Sequence, residues 1–283
     1  MQRLASELWR RIGARSSIHI GDLPWRMYQH LNKLDEDRVE LWLDGDDAVA
    51  WGWLDDGELD FEVHPDHEDL ATEVLAWANA RSVLTLAIHT ESVRIIEEAG
   101  YSRSEKKWYE HMVRSLEDLP EPSVPAGYRV RAVEGDADVD RRVEVHRAAF
   151  APSRVVPESY RAVMSAYPYR PDLDNVVVAP DGSFAAFCLC WIDIENRVGL
   201  LEPVGAHPAH RRQGLAAAAC LAGLRALRHA GADTALVYSA GASQAFRLYE
   251  RIGFRSTSRQ LQYDERRHDV CGRPRRDGTE VMK

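Results

Sequence analysis

Between positions 202 and 217 the chain reads Glu-Pro-Val-Gly-Ala-His-Pro-Ala-His-Arg-Arg-Gln-Gly-Leu-Ala-Ala. Arg211, Arg212 and Gln213 stand directly before Gly214, and Leu215, Ala216 and Ala217 open an alanine- and leucine-rich run with the composition of a helix. At a helix start the first backbone N–H groups have no intrahelical acceptor, and the positive end of the helix dipole is exposed there. Small residues at 214 and 216 let an anion reach that backbone, with two cations beside it. Such a set of groups suits the capture of a phosphate or pyrophosphate. Two other pairs, His64-x-x-His67 and His207-x-x-His210, offer only two ligands each beside a proline. They read as turns, and no metal is expected.

These groups need a scaffold. An apolar strand, residues 198–201, feeds the loop, and the helix over residues 215–230 leaves it. A second strand follows at 234–239. Residues 243–252 then form a helix with Phe246, Tyr249 and Ile252 on one face, ended by Gly253 in a left-handed conformation. Upstream, residues 127–133 read as a strand, 138–150 and 156–167 as helices, and 173–178 as a strand. Asp181-Gly182 marks a turn before a return strand over 183–193. This order suits a mixed α/β sheet.

The segment Arg211-x-x-Gly214-x-Ala216 resembles the acyl-CoA signature of the GCN5-related N-acetyltransferase (GNAT) family, Gln/Arg-x-x-Gly-x-Gly/Ala. Downstream, Leu248-Tyr249-Glu250-Arg251-Ile252-Gly253-Phe254 resembles that family's Leu-Tyr-Glu-x-x-Gly-Phe. The resemblance runs from about residue 127 to 264. It implies acetyl-CoA as the acyl donor and direct attack by a primary amine in a ternary complex. Residues Arg211, Arg212, Gln213, Gly214, Leu215, Ala216 and Ala217 would hold the pyrophosphate. Val204, Gly205 and Ala206 would pair through their backbone with the pantetheine arm, where the strand must splay from its neighbour. Pro203 and Gly205 suit a bulge at that point. Tyr249 matches the family's acid for the leaving thiolate, and Glu202 lies where many members place a general base. A base is needed because an alkylamine, with a pKa of about 10, is mostly protonated at neutral pH. Ala242 replaces an asparagine that often contacts the coenzyme arm, so that contact is expected to be missing. Phe150, Ser153, Arg154, Trp191 and Asp193, near the open end of the sheet, are the expected acceptor pocket.

The pattern occurs twice. Phe61-Glu62-Val63-His64-Pro65-Asp66-His67 echoes Val204-Gly205-Ala206-His207-Pro208-Ala209-His210, and Ile96-Glu97-Glu98-Ala99-Gly100-Tyr101 echoes Tyr249-Glu250-Arg251-Ile252-Gly253-Phe254. The expected architecture is therefore α/β, with two tandem GNAT-like mixed-sheet domains: residues 1–119, a proline-rich linker at 120–126, and residues 127–283. The first copy has Glu68-Asp69 in place of Arg-Arg-Gln-Gly and Ile96 in place of Tyr249. It is expected to be a degenerate, non-catalytic domain, because two carboxylates repel a pyrophosphate.

Composition limits the partners. The chain has 283 residues and a net charge of −9, divided as −12 over residues 1–120 and +3 over residues 121–283. That excludes nucleic acid as an expected partner and leaves the anion to the second half. No apolar run approaches the ~20 residues of a membrane span. The four cysteines, Cys188, Cys190, Cys220 and Cys271, form no CxxC pair, and Cys188 and Cys190 read as buried fillers. A cytoplasmic location, a small-molecule amine as partner and a monomer or homodimer are expected. The basic stretch Arg273-Pro274-Arg275-Arg276 reads as a solvated tail. Seven of the eight tryptophans lie in the first 110 residues, and Trp51 and Trp53 share a strand face that reads as core. Asp55, Asp56, Glu58 and Asp60 are expected to line an inter-domain cleft and draw cationic amines to it. Two other readings remain at this level: a non-catalytic acyl-CoA-binding or sensing module, and an acetyltransferase for protein N-termini, which would need a wide, shallow cleft.

Overall fold

The computed structural model describes residues 1–266; Cys271 and the basic stretch from Arg273 to Arg276 lie outside the described residues. The N-terminal unit opens with three helices, α1 (Gln2–Ile12), α2 (Asp22–Tyr28) and α3 (Lys33–Glu36). It continues through β1 (Arg38–Asp44), β2 (Asp47–Asp55), β3 (Glu58–Val63), α4 (Leu70–Ala78), β4 (Ser82–Leu86), α5 (Thr90–Glu98) and β5 (Tyr101–Ser115). The C-terminal unit comprises β6 (Arg129–Ala132), α6 (Val139–Ala149), α7 (Pro157–Ser165), β7 (Asp174–Val178), β8 (Phe184–Asp193) and β9 (Val198–Ala206). It ends with α8 (Leu215–His229), β10 (Thr234–Ala240), α9 (Gln244–Arg251) and β11 (Arg255–Glu265). No helix or strand occupies the proline-rich segment between Ser115 and Arg129.

The eleven strands of the described residues join one sheet, in the order β1-β2-β3-β4-β11-β5-β10-β9-β8-β7-β6. The two units are repeats, but they are not side by side as separate sheets. Each unit's last strand is exchanged: β5 pairs with β10 of the C-terminal unit, and β11 pairs with β4 of the N-terminal unit. β5 and β11 also pair with each other, so the pseudo-symmetry runs through the middle of the sheet. The sequence pattern shows the repeat but not this exchange.

In each unit one parallel strand pair opens out. β9 and β10 are in register only from Val198↔Thr234 to Leu200↔Leu236, and β3 and β4 only at Glu58↔Ser82 and Leu59↔Val83. Beyond these pairs each unit has a slot through the sheet. The register of β8 against β9 shifts between Cys188↔Val204 and Cys190↔Leu201, so β9 carries an extra residue at Glu202-Pro203. This is the expected bulge, and the Trp191 indole N–H fixes it by donating to the Glu202 carbonyl at 2.7 Å.

Burial on both faces explains the continuous apolar character of β8. Cys188, Cys190 and Ile192 pack with Leu224 and Leu227 of α8, while Leu189 and Trp191 pack with Val139 and Val143 of α6. In the other unit, Trp51 and Trp53 are wholly buried against Leu4, Leu8 and Leu23 of α1 and α2, which bears out the core reading. Phe61 and Leu59 face α4 on the opposite side.

Candidate functional site

The loop before α8 leaves its backbone and its arginines open to solvent. Residues 211–214 are exposed, and no side chain caps the α8 N-terminus. Gly214 occupies the N-cap position at φ 78°, where a residue with a Cβ is strained by ~1–2 kcal/mol. Arg211 donates to the Ala149 carbonyl at 3.4 Å, which ties the loop to the end of α6. On the strand side, a Cβ added at Gly205 would lie 2.5 Å from the Phe187 ring, so only glycine keeps that backbone in place. Uncapped amides, two exposed arginines and a splayed strand edge together fit a CoA pyrophosphate and its arm. Ala242 holds φ 57°, a left-handed conformation that favours asparagine, yet offers no side-chain contact.

The slot between β9 and β10 opens into a cleft of about 500 Å³. Glu202 and Tyr249 both line it, as do Val204, Phe150, Ser153 and Arg154. Trp191 and Asp193 do not. Trp191 is wholly buried beneath the bulge, and Asp193 lies at the other end of β8, accepting from the Glu195 and Asn196 N–H groups in a tight turn. Sequence placed them in the cleft because they share a strand with its edge. Trp191 faces the α6 layer, and Asp193 pairs with Val198 at the closed end of the ladder.

Tyr249 is 5% exposed, and burial, followed by the nearby thiols of Cys220 and Cys188 and the Glu202 carboxyl, keeps its phenol protonated well above the usual range. A buried neutral phenol is a proton donor. Ser243 caps α9 by accepting from the Phe246 N–H at 3.0 Å, and so sets the helix that carries Tyr249.

Glu202 does not stand alone. Its carboxyl packs against that of Asp22, the first residue of α2, and its Oε2 is buried without a partner. Two buried carboxyls in contact cannot both ionise, and a shared proton satisfies the orphaned oxygen. Burial, with the neighbouring Glu202 carboxyl, raises Asp22 well above the carboxylate range, and burial raises Glu202 as well, so the pair holds one proton between its two carboxyls. Asp22 Oδ2 accepts from the His19 N–H at 2.7 Å and the Tyr238 hydroxyl at 3.3 Å.

The cleft also contains residues that sequence reasoning missed. Trp25, Gln29 and His30, around α2 of the N-terminal unit, form one wall. His146 lies beneath Phe150, with ring centroids 4.9 Å apart, and burial lowers its pKa to about 3. Its Nδ1 sits 3.2 Å from Ser153 Oγ. Arg154 is engaged by Glu36 of α3 at 2.9 and 2.6 Å, so it ties the two units together at the cleft rim. No pattern in the sequence paired Asp22 with Glu202, which lie 180 positions apart.

The acidic quartet does not form the expected wall. Asp55 is bonded to Lys33, Asp56 to Arg81, Glu58 to Lys107 and Asp60 to Arg26. The two histidine pairs serve as turn caps. His64 Nδ1 accepts from the Asp66 N–H and His207 Nδ1 from the Ala209 N–H, at 3.1 and 3.2 Å. This shared device is a direct structural sign of the repeat. Among the described residues no helix is long and apolar enough to cross a membrane.

Residues 143–254 match the acetyltransferase (GNAT) family. A mycothiol acetyltransferase of Kineococcus radiotolerans is 33% identical over 170 residues, which are 58% of this chain and 55% of that protein. The chain thus spans little more than half the length of that relative. A GCN5-related N-acetyltransferase from Sphaerobacter thermophilus shares the fold with a TM-score of 0.65 at 20% identity, over 93% of this chain and 90% of that one. A tandem GNAT protein from the clavulanic acid biosynthesis pathway does so with a TM-score of 0.63 at 16% identity, over 93% and 92%. A tandem plan is therefore one that a solved protein of this fold also adopts.

Proposed function

We propose that the C-terminal unit transfers an acetyl group from acetyl-CoA to the primary amine of a small molecule, directly, in a ternary complex. The supporting observation is that Tyr249 and Glu202 line one cleft with Val204, on a strand whose C-terminal end leads through residues 207–214 to the uncapped N-terminus of α8. Bound acetyl-CoA would supply the thioester carbonyl. Arg211, Arg212 and the amides from Gly214 to Ala217 would hold its pyrophosphate, and Val204 to Ala206 would offer their strand edge to its arm.

Glu202 takes the proton from the incoming ammonium, either directly or through water. Its raised pKa matches it to that task better than an ordinary surface carboxylate. Asp22 positions Glu202 and shares a single proton with it. Tyr249, neutral at the cleft wall, donates its phenolic proton to the leaving thiolate. Burial keeps these transfers in a low-dielectric site where they are most effective.

Trp25, Gln29 and His30 wall the cleft, which favours a compact acceptor over an extended peptide. The acceptor of the mycothiol acetyltransferases is the first amine to assay. Calorimetry with CoA and turnover on an amine panel test the proposal. One CoA per chain, with acetylation of a small amine, is expected. Binding without turnover on any amine would leave a sensing module instead.

A further inference from the structure

The slot of the N-terminal unit plays no part in this reaction. Where β3 and β4 part, it encloses about 250 Å³ between Leu8 and Ile12 of α1, Phe61, Leu84 and Ile95. Glu62 lines it and is 6% exposed; its Oε1 is buried without a hydrogen-bond partner. Burial and then the neighbouring Asp60 push the Glu62 carboxyl well up, so it holds its proton. Asp60 is engaged by Arg26 at 3.0 Å and is not free to answer it. The remaining ionisable groups of the lining are Arg15, Glu68, His89 and Glu91. Burial lowers the pKa of His89, whose Nε2 contacts the Arg15 carbonyl at 2.8 Å, and Glu91 is held by Arg94. The lining thus has four carboxyls to one arginine. Its mouth offers Glu68-Asp69 where the other unit offers Arg211-Arg212-Gln213-Gly214, so it repels a pyrophosphate.

We propose that this slot binds a small alkylammonium, its chain between β3 and β4 and its cationic head on Glu62. On binding, the Glu62 O–H bond breaks, the proton leaves to solvent, and the carboxylate pairs with the ammonium. The cavity is smaller than the ~300–1,000 Å³ of sites for drug-sized ligands, which suits a short-chain amine.

The test titrates hexylammonium into the full chain carrying Glu202→Gln, which removes the ionisable carboxyl of the catalytic cleft and leaves the N-terminal slot untouched. Calorimetry is run in two buffers of different ionisation enthalpy. One site per chain, with a proton released to the buffer, is expected. Adding Glu62→Gln should weaken binding at least tenfold and abolish the proton release. CoA binding, measured on the same samples, shows that each variant is folded and reports independently on the C-terminal unit. The proposal is overturned if hexylammonium does not saturate at millimolar concentration, if Glu62→Gln binds it unchanged, or if CoA displaces it.

Discussion

The two slots were cut to the same plan and filled with opposite chemistry. Both lie where a parallel strand pair parts after two or three registered pairs, and both lead past a histidine-capped turn to a helix. At the C-terminal slot that helix begins with an uncapped glycine and two arginines; at the N-terminal slot it begins with Glu68-Asp69 and carries Glu73 in its first turn. Tyr249 stands over one slot, and its counterpart Ile96 is wholly buried in an apolar cluster. Backbone geometry alone therefore does not make a coenzyme site. On the proposed reading, a few residues at the helix start set the sign of charge the slot would accept, and one hydroxyl would supply the leaving group's proton.

The largest effect should come from breaking the loop that distinguishes the slots. Gly214→Glu puts a Cβ at a left-handed position and a carboxylate where the phosphates would lie, so CoA affinity should fall more than about 100-fold. Calorimetry showing two equivalent CoA sites in the parent, or wild-type affinity in the variant, would remove the contrast. Tyr249→Phe should lower kcat by roughly 10²-fold with little change in KM for acetyl-CoA, since the hydroxyl matters when thiolate departs. Steady-state kinetics on an accepted amine decide this.

The Asp22–Glu202 contact should appear in the pH profile. Asp22→Leu deletes the proton donor, so the acid limb of kcat/KM should move to higher pH. Activity on that limb should then drop by about tenfold for each pH unit the limb moves. Asp22→Asn, which keeps a donor, should move it less. A profile identical in all three proteins would make Asp22 a mere packing residue.

Stability gives a smaller signal. Asp22, Glu62 and Glu202 all have pKa values raised by burial, so the fold favours their protonated forms. That contribution is present at low pH and is lost as pH rises through the raised values. Melting temperature should therefore fall as pH rises above the ordinary carboxylate range, and Glu62→Gln should flatten part of the fall. An unchanged slope in thermal melts would mean that Glu62 titrates normally. The smallest effect is expected from neutralising Asp55, Asp56 and Glu58 together. Each already faces its own cation, so the salt dependence of kcat/KM for a cationic amine should barely move.

Much of this was legible in the sequence because it is local. Gly214 after two arginines, the turn at His207-Pro208 and the Tyr249 helix are each set by neighbours within a few positions. The repeat was legible for the same reason. Asp22 was invisible: an acidic residue opening a short helix has no period to betray it, and its partner comes from another unit. Asp193 failed through strand direction, since a strand brings only one of its ends to the cleft, and Trp191 failed through burial, since its ring lies under the bulge against the α6 layer. The acidic quartet failed because composition counts charges and cannot see the lysines and arginines that meet them.

The exchanged strands also have a consequence for how the protein is made. β4 pairs with Gln260–Asp264, so the first unit waits for the last strand to emerge from the ribosome before its sheet is whole. Until then β4 is an open edge, exposed to pairing with other chains. A cut in the segment between Ser115 and Arg129 would not release two modules, because β5 and β11 remain threaded through each other's sheets. The nicked pieces should stay together as one particle, and either half expressed alone should need its sister to become soluble.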